Sequence, residues 1–145
     1  MQVNPKITFF VPDFESPIQA SFISSEIKAG FPSPAADFEE SKVSLDHLLI
    51  KNKEATFYAK ASGNSMIGAG IDDGDILVID RSLEPRNNAV AVCFIDGEFT
   101  VKRIKKTDKA VFLMPENPSY APIQIEPHNE FIIWGIVTYV IKQIK

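Results

Sequence analysis

Ala89-Val90-Ala91-Val92-Cys93-Phe94-Ile95-Asp96-Gly97-Glu98-Phe99-Thr100-Val101-Lys102-Arg103-Ile104 is the stretch that decides the fold. Two runs rich in Val, Ile and Phe flank the dipeptide Asp96-Gly97. Such runs favour strands, and Asp-Gly suits the two-residue turn in which both central residues take positive φ. The stretch therefore predicts a β-hairpin with Lys102 on its returning strand. Alternation puts Thr100, Lys102 and Ile104 on one face and Phe99, Val101 and Arg103 on the other.

Working outward, the same chemistry recurs in Thr56–Ala61, Asp75–Asp80, Ala110–Met114, Ile123–Ile125 and Phe131–Ile141, with turn residues between the runs. Pro115, Pro118, Pro122 and Pro127 keep the later connections irregular. Leu45 to Ile50 forms a short apolar patch before the polar turn Lys51-Asn52-Lys53-Glu54. The fold class is mostly β. Residues 1 to about 40 read differently. Pro5, Pro12, Pro17, Pro32 and Pro34 punctuate them, and Phe9, Phe10, Val11, Phe14, Phe22, Ile23, Ile27 and Phe31 are interspersed. This segment is too apolar for a free tail. It reads as an extended arm that docks on the folded body or on a partner, with Ser21 to Lys28 making at most a turn or two of helix. It holds no helix-turn-helix pattern.

The chain has 145 residues, 45% of them hydrophobic, which is enough for one core. Its net charge of −4 argues against DNA binding as the main activity and against direct sequence-specific DNA contact. Lys102-Arg103-Ile104-Lys105-Lys106 reads as the solvated end of a hairpin. The single cysteine, Cys93, excludes an internal disulfide, fits the reducing cytoplasm and reads as a buried thiol. No apolar run reaches the roughly 18 residues needed to span a bilayer. The longest, Phe131 to Ile141, is interrupted by Gly135 and Thr138. No signal peptide is evident, and a cytoplasmic location is expected.

A second stretch carries the chemistry. Ala61-Ser62-Gly63-Asn64-Ser65-Met66-Ile67-Gly68-Ala69-Gly70 lies between two β-like runs, so Ser65 sits on a glycine-punctuated loop. Glycine permits unusual backbone angles and close approach of another chain. Such a loop can hold a nucleophile and offer N–H groups to an oxyanion. By itself it is also an ordinary turn. A serine hydroxyl needs a base, and neither histidine suits: His47 and His128 read as surface or turn residues. Asp72, Asp73 and Asp75 do not have calcium-loop spacing, because Leu77 and Val78 stand where oxygen ligands would be required. They read as turn residues, and no metal or other cofactor is expected. A lysine base remains. To accept a proton near neutrality its pKa must fall by about 3 units, at a cost of about 4 kcal/mol to the charged form. On local sequence alone Lys102 is a solvated strand lysine beside Arg103, Lys105 and Lys106.

Ser62-Gly63-Asn64-Ser65-Met66, then Gly70-Ile71-Asp72-Asp73-Gly74-Asp75, then Asp96-Gly97-Glu98-Phe99-Thr100-Val101-Lys102-Arg103, occur in an order that resembles the LexA/UmuD family of self-cleaving serine–lysine proteins. Ala29-Gly30-Phe31-Pro32-Ser33-Pro34-Ala35-Ala36-Asp37 looks like the family's self-cleavage site. The resemblance covers about residues 28 to 145. It implies a small LexA/UmuD-like β domain at residues 31–145 and an N-terminal arm at residues 1–30 that is removed by self-cleavage of the Ala29–Gly30 bond. It assigns Ser65 as nucleophile, Lys102 as general base, the backbone N–H groups around Asn64 and Ser65 as the oxyanion hole, and Thr100 as a hydroxyl orienting the Lys102 amine. Ala29 suits a small pocket, and Gly30 leaves room for the serine to approach. It further implies stimulation by a RecA filament on single-stranded DNA, a homodimer, and service by the shortened form to a UmuC-like catalytic subunit of an error-prone translesion DNA polymerase. An extended chain from residue 30 to residue 65 reaches about 115 Å, so cutting within one chain and cutting between dimer partners both stay open. Two rivals stand beside this reading. One is a non-enzymatic β-rich adaptor in which Ser65 and Lys102 never meet. The other is a protease acting on other proteins.

Overall fold

The β-hairpin forms as its Asp-Gly turn dictates. In a computed structural model, which describes residues 7–15, 19–23 and 40–144, Asp96 and Gly97 have φ of 49° and 87°. The strands they join, β6 (Val90–Ile95) and β7 (Glu98–Lys106), pair antiparallel with Ile95 opposite Glu98, Cys93 opposite Thr100 and Ala91 opposite Lys102. Opposed residues share a face. Lys102 therefore lies across from alanine and next along from cysteine, both fully buried.

The hairpin belongs to an eight-stranded sheet. Its other members are β1 (Thr8–Phe10), β4 (Thr56–Lys60), β5 (Ile76–Asp80), β8 (Val111–Met114), β9 (Ile123–Gln124) and β10 (Phe131–Ile141). The spatial order is β1-β4-β5-β10-β6-β7-β8-β9, and every neighbouring pair is antiparallel. Each β run expected after residue 55 is present. β7 extends to Lys106, beyond the apolar run, because Lys105 and Lys106 pair through their backbones with Phe112 and Val111. Docking of the arm on the folded body is seen for β1, which aligns Thr8 with Lys60 and Phe10 with Tyr58 on the β4 edge.

Successive residues of β6 and β7 enter different cores. Val92 and Val101 pack with Ala59, Leu77 and Ile79, whereas Ala91, Cys93 and Ile104 pack with Leu113. Covering both faces of the hairpin is what removes Lys102 from water. Trp134 packs on the first of these cores, where its ring meets Phe9 and Phe57 at centroid distances of 4.5 and 5.2 Å.

β10 lies between β5 and β6. Its register shifts between Ile133 and Gly135 against β6, and between Val137 and Tyr139 against β5. These are the positions where Gly135 and Thr138 interrupt the apolar run. At the first shift the Trp134 carbonyl accepts from Arg81 Nε at 2.9 Å. At the second, Thr138 Oγ1 donates to the Val78 carbonyl at 3.2 Å. Extra residues of this kind bend a strand and increase its twist.

Described residues among 13–51 make a separate unit. β2 (Gln19–Ile23) pairs antiparallel with β3 (Glu40–Ser44), which leads into a short helix, α1 (Leu45–Leu49). Ser21 to Ile23 are thus strand, not the expected helical turn. The backbone pairing with β3 overrides a local propensity too weak to sustain a helix. The apolar patch at Leu45–Ile50 is helical through Leu49. Ala29 and Gly30, and with them the boundary between residues 1–30 and 31–145, lie outside the described residues. Among the described residues no helix is long and apolar enough to cross a membrane.

Gly135 tests the packing at the β10 irregularity. A Cβ there would lie 2.5 Å from Ile79 Cγ2, a side chain with no exposure. Gly135→Ala should lower the unfolding free energy by about 1–3 kcal/mol through overpacking. It should move the urea midpoint down at unchanged m-value; a parental midpoint would mean that Ile79 yields freely.

Candidate active site

Ser65 lies in the loop after β4, and that loop is held from two directions. Gly63 takes φ of 91°, open to glycine at little cost, and its N–H donates to Asp73 Oδ1 at 2.8 Å. The Ala61 N–H donates to the Asp75 carbonyl, and the Gly74 N–H donates to the Ala61 carbonyl, each at 2.8 Å. The Asp72–Asp75 turn thus backs the loop. The turn is tied in its own right: the Asp72 N–H donates to Asp75 Oδ2 at 2.8 Å, and Lys142 Nζ bonds Asp72 Oδ2 at 2.7 Å and also Asp75 Oδ2. The turn role expected for these aspartates is seen. Lys142 is a partner that sequence reading missed, because it lies far away in the chain.

The second hold comes from the segment after β8. The Glu116 N–H donates to the Ser65 carbonyl at 2.8 Å, and the Gly68 N–H returns a bond of 2.8 Å to the Glu116 carbonyl. Asn117 Nδ2 donates to the Asn64 carbonyl at 2.8 Å, and Tyr120 Oη donates to Asn64 Oδ1 at 2.6 Å. Glu116 is itself anchored by Arg103 Nε at 2.6 Å. Gly68 is needed here for space, since a Cβ would lie 2.6 Å from the Glu116 carbonyl oxygen. Glu116, Asn117 and Tyr120 were not singled out by sequence reading. Their only signal was an Asn-Pro turn among irregular prolines.

Against this loop stands Lys102. Its Nζ is 3.0 Å from Ser65 Oγ, 2.7 Å from Thr100 Oγ1 and 3.1 Å from the Val101 carbonyl oxygen. Lys102 is 6% exposed and Ser65 9%, and among the described residues no carboxylate pairs with the amine. Burial pushes the Lys102 pKa below the ordinary lysine value, against a smaller opposing effect of Cys93. Burial also pushes the Cys93 thiol up, to about 12. The thiol therefore stays neutral near pH 7 and supplies no counter-charge.

This geometry suits a neutral amine. An uncharged Nζ has two N–H groups and one lone pair. The N–H groups can donate to Thr100 Oγ1 and the Val101 carbonyl, which leaves the lone pair facing the Ser65 hydroxyl. Among the described residues neither the Asn64 nor the Ser65 N–H is engaged in a hydrogen bond. Ser65, Lys102, Thr100 and Asn64 are thus together. Ala29 and Gly30 lie outside the described residues, so the geometry is silent on the bond to be cut. His47 and His128 are exposed and stand in no such cluster.

The family model for Peptidase S24-like proteins matches residues 21–138. Protein MucA of Salmonella typhimurium is 40% identical over 119 residues, which span 81% of both chains. Protein SamA of Salmonella typhimurium strain LT2 is 36% identical over 133 residues, spanning 90% of this chain and 92% of SamA. The LexA repressor of Bordetella avium is 34% identical over 133 residues, spanning 88% of this chain and 62% of the repressor. With a family match across most of its length and relatives at 36–40% identity over four fifths or more of the chain, the chain belongs to the Peptidase S24-like family and is a self-cleaving serine peptidase of SOS mutagenesis.

Proposed function

We propose that the chain cuts its own Ala29–Gly30 bond with Ser65 as nucleophile and Lys102 as general base, and thereby frees the domain from its N-terminal arm. The observation that carries this reading is the 3.0 Å approach of Lys102 Nζ to Ser65 Oγ, with both residues buried. A surface lysine beside a turn serine would have neither the contact nor the depressed pKa. The adaptor alternative requires the two never to meet.

The chemistry follows from the groups present. Neutral Lys102 takes the Ser65 proton as Oγ attacks the Ala29 carbonyl carbon. The oxygen of the tetrahedral intermediate takes the charge and is met by the N–H groups at Asn64 and Ser65. Collapse breaks the C–N bond, and protonated Lys102 returns its proton to the departing Gly30 amine. An ester joins Ala29 to Ser65. Water then attacks the ester with Lys102 again as base, which restores Ser65 and leaves a carboxylate at Ala29. Thr100 acts through Lys102 by fixing which way the amine points.

The proposed biological output is a switch. A RecA filament on single-stranded DNA raises the rate, and the shortened form acts as a homodimer in the cytoplasm. There it is the accessory subunit of a UmuC-like translesion polymerase. The family membership and the close relatives support this reading.

Three outcomes are expected. Ser65→Ala should fold and stay full length under alkaline conditions that cut the parent; equal cutting on a gel would remove Ser65 from the mechanism. Mass spectrometry of the cut parent should find Gly30 as the new N-terminus. Gly30→Val should block the cut with little change in thermal stability. A different terminus would move the scissile bond.

The third concerns pH. Only neutral Lys102 can take the proton, so the unassisted rate should rise with pH and level off above the lysine's depressed pKa. Lys102→Arg cannot be neutral at workable pH and should be inactive throughout. The same shift acts on stability. Between the depressed folded value and the ordinary value near 10.4, the unfolded chain binds more protons than the folded one. Parental stability therefore rises with pH through that window. Lys102→Met should be at least as stable as the parent near neutrality, and its advantage should shrink as pH climbs. A flat rate profile, or an active Lys102→Arg, would exclude the lysine base.

A further inference from the structure

The arm contributes more than the bond to be cut. Ile7 lines the pocket beside Ser65, together with Ala61, Met66, Ile71, Phe99 and Val101. The strand it leads into, β1, pairs with the edge of β4, the strand that leads directly into the Ser65 loop. Exposure alternates along this segment. Ile7 and Phe9 are half-buried and packed on the core, whereas Thr8 and Phe10 face outward. Phe9 locks the strand in place, with ring centroids 4.5 Å from Trp134 and 4.9 Å from Phe99. The pocket wall at Ile7 is therefore set by backbone pairing and by an aromatic anchor two residues on.

We infer that Ile7 is a specificity-determining residue: it forms the arm-borne wall of the pocket that receives the side chain preceding the scissile bond, and it limits that pocket to a side chain as small as alanine. The inference rests on the reading that Ala29–Gly30 is the bond cut. Ser62, Gly63 and Thr100 complete the lining beside the apolar side chains, so on the arm's side the pocket's width is set by how far Ile7 projects. Because Thr8–Phe10 precedes residue 29, cutting also severs the covalent tie between this wall and Ser65. The peptidase thus loses hold of part of its own substrate site when it acts.

The test is a size swap in the full-length chain, followed by gel at alkaline pH with mass spectrometry of the products. Ile7→Ala widens the pocket and loosens the fit of Ala29; it should slow cutting about tenfold, the effect of roughly 1.4 kcal/mol lost from the transition state. Ile7→Val should stay close to the parent. Ala29→Leu should be cut poorly in the parent background, and combining it with Ile7→Ala should restore cutting at the same bond. A role of Ile7 in mere stability would lower the rate of the double variant below that of either single change. Restoration supports the wall. Parental cutting by Ile7→Ala, or a double variant no faster than Ala29→Leu alone, overturns it. If the parent itself is cut elsewhere, the reading of the bond fails, and mass spectrometry distinguishes that failure from failure of the wall.

Discussion

A lysine amine held out of water without a carboxylate partner is the constraint on which the rest of the structure depends. A buried ammonium is costly unless it is paired. Lys102 lies among Ala91, Cys93 and Ile104, and its three polar neighbours are uncharged. The sheet supplies the burial: β6 and β7 carry a core on each face, so a side chain in mid-hairpin has little route to solvent. A carboxylate at this place would abolish the base, because it would hold the amine charged. On the proposed reading the site accepts a destabilising residue for its chemistry, as perturbed groups at functional sites commonly do.

A base is of use only if the hydroxyl is placed with comparable accuracy, and Ser65 is on a loop. Loops are mobile unless tied down. Here the ties come from the Asp72–Asp75 turn on one side and from Glu116, Asn117 and Tyr120 on another. Both groups bond chiefly to backbone and to Asn64, and none of them bonds the Ser65 hydroxyl, which is left to Lys102. This division fixes the main chain of the proposed nucleophile without competing for its side chain. It also aims the Ser65 carbonyl at Glu116 and so sets the direction of the neighbouring N–H groups.

The β fold was legible because its signals are local. Asp96-Gly97 specified the turn, and the interruptions at Gly135 and Thr138 coincide with the register shifts of β10. The meeting of Ser65 with Lys102 was legible through motif order. What stayed hidden depended on distant partners. Glu116 and Tyr120 are ordinary residues in a proline-rich connection until the fold carries the one to the Ser65 carbonyl and the other to Asn64. Lys142 is an ordinary terminal lysine until it meets Asp72. The strand at Gln19–Ile23 exists through pairing with Glu40–Ser44, and neither segment alternates cleanly enough to announce it. β7 continues through Lys105 and Lys106 for the same reason, since backbone pairing does not need apolar side chains.

Two equilibria then govern the proposed cut, and they are separable. One is the proton on Lys102, set by burial of the β7 face. The other is the fraction of molecules in which the chain to be cut lies in the Ser65 cleft. A partner that binds only the docked form can raise the rate by no more than the inverse of that fraction, so a form populated at about 1% permits at most about 100-fold stimulation. If docking and protonation are independent, stimulation is the same at every pH. If the docked chain also dries the amine, docking itself lowers the lysine's pKa. Stimulation is then greatest near neutrality, and it shrinks as alkali deprotonates Lys102 unaided. The buried position of Lys102 in the described structure means that much of the drying is already done by the sheet. The larger share of any trigger's work therefore falls on placing the chain rather than on making the base.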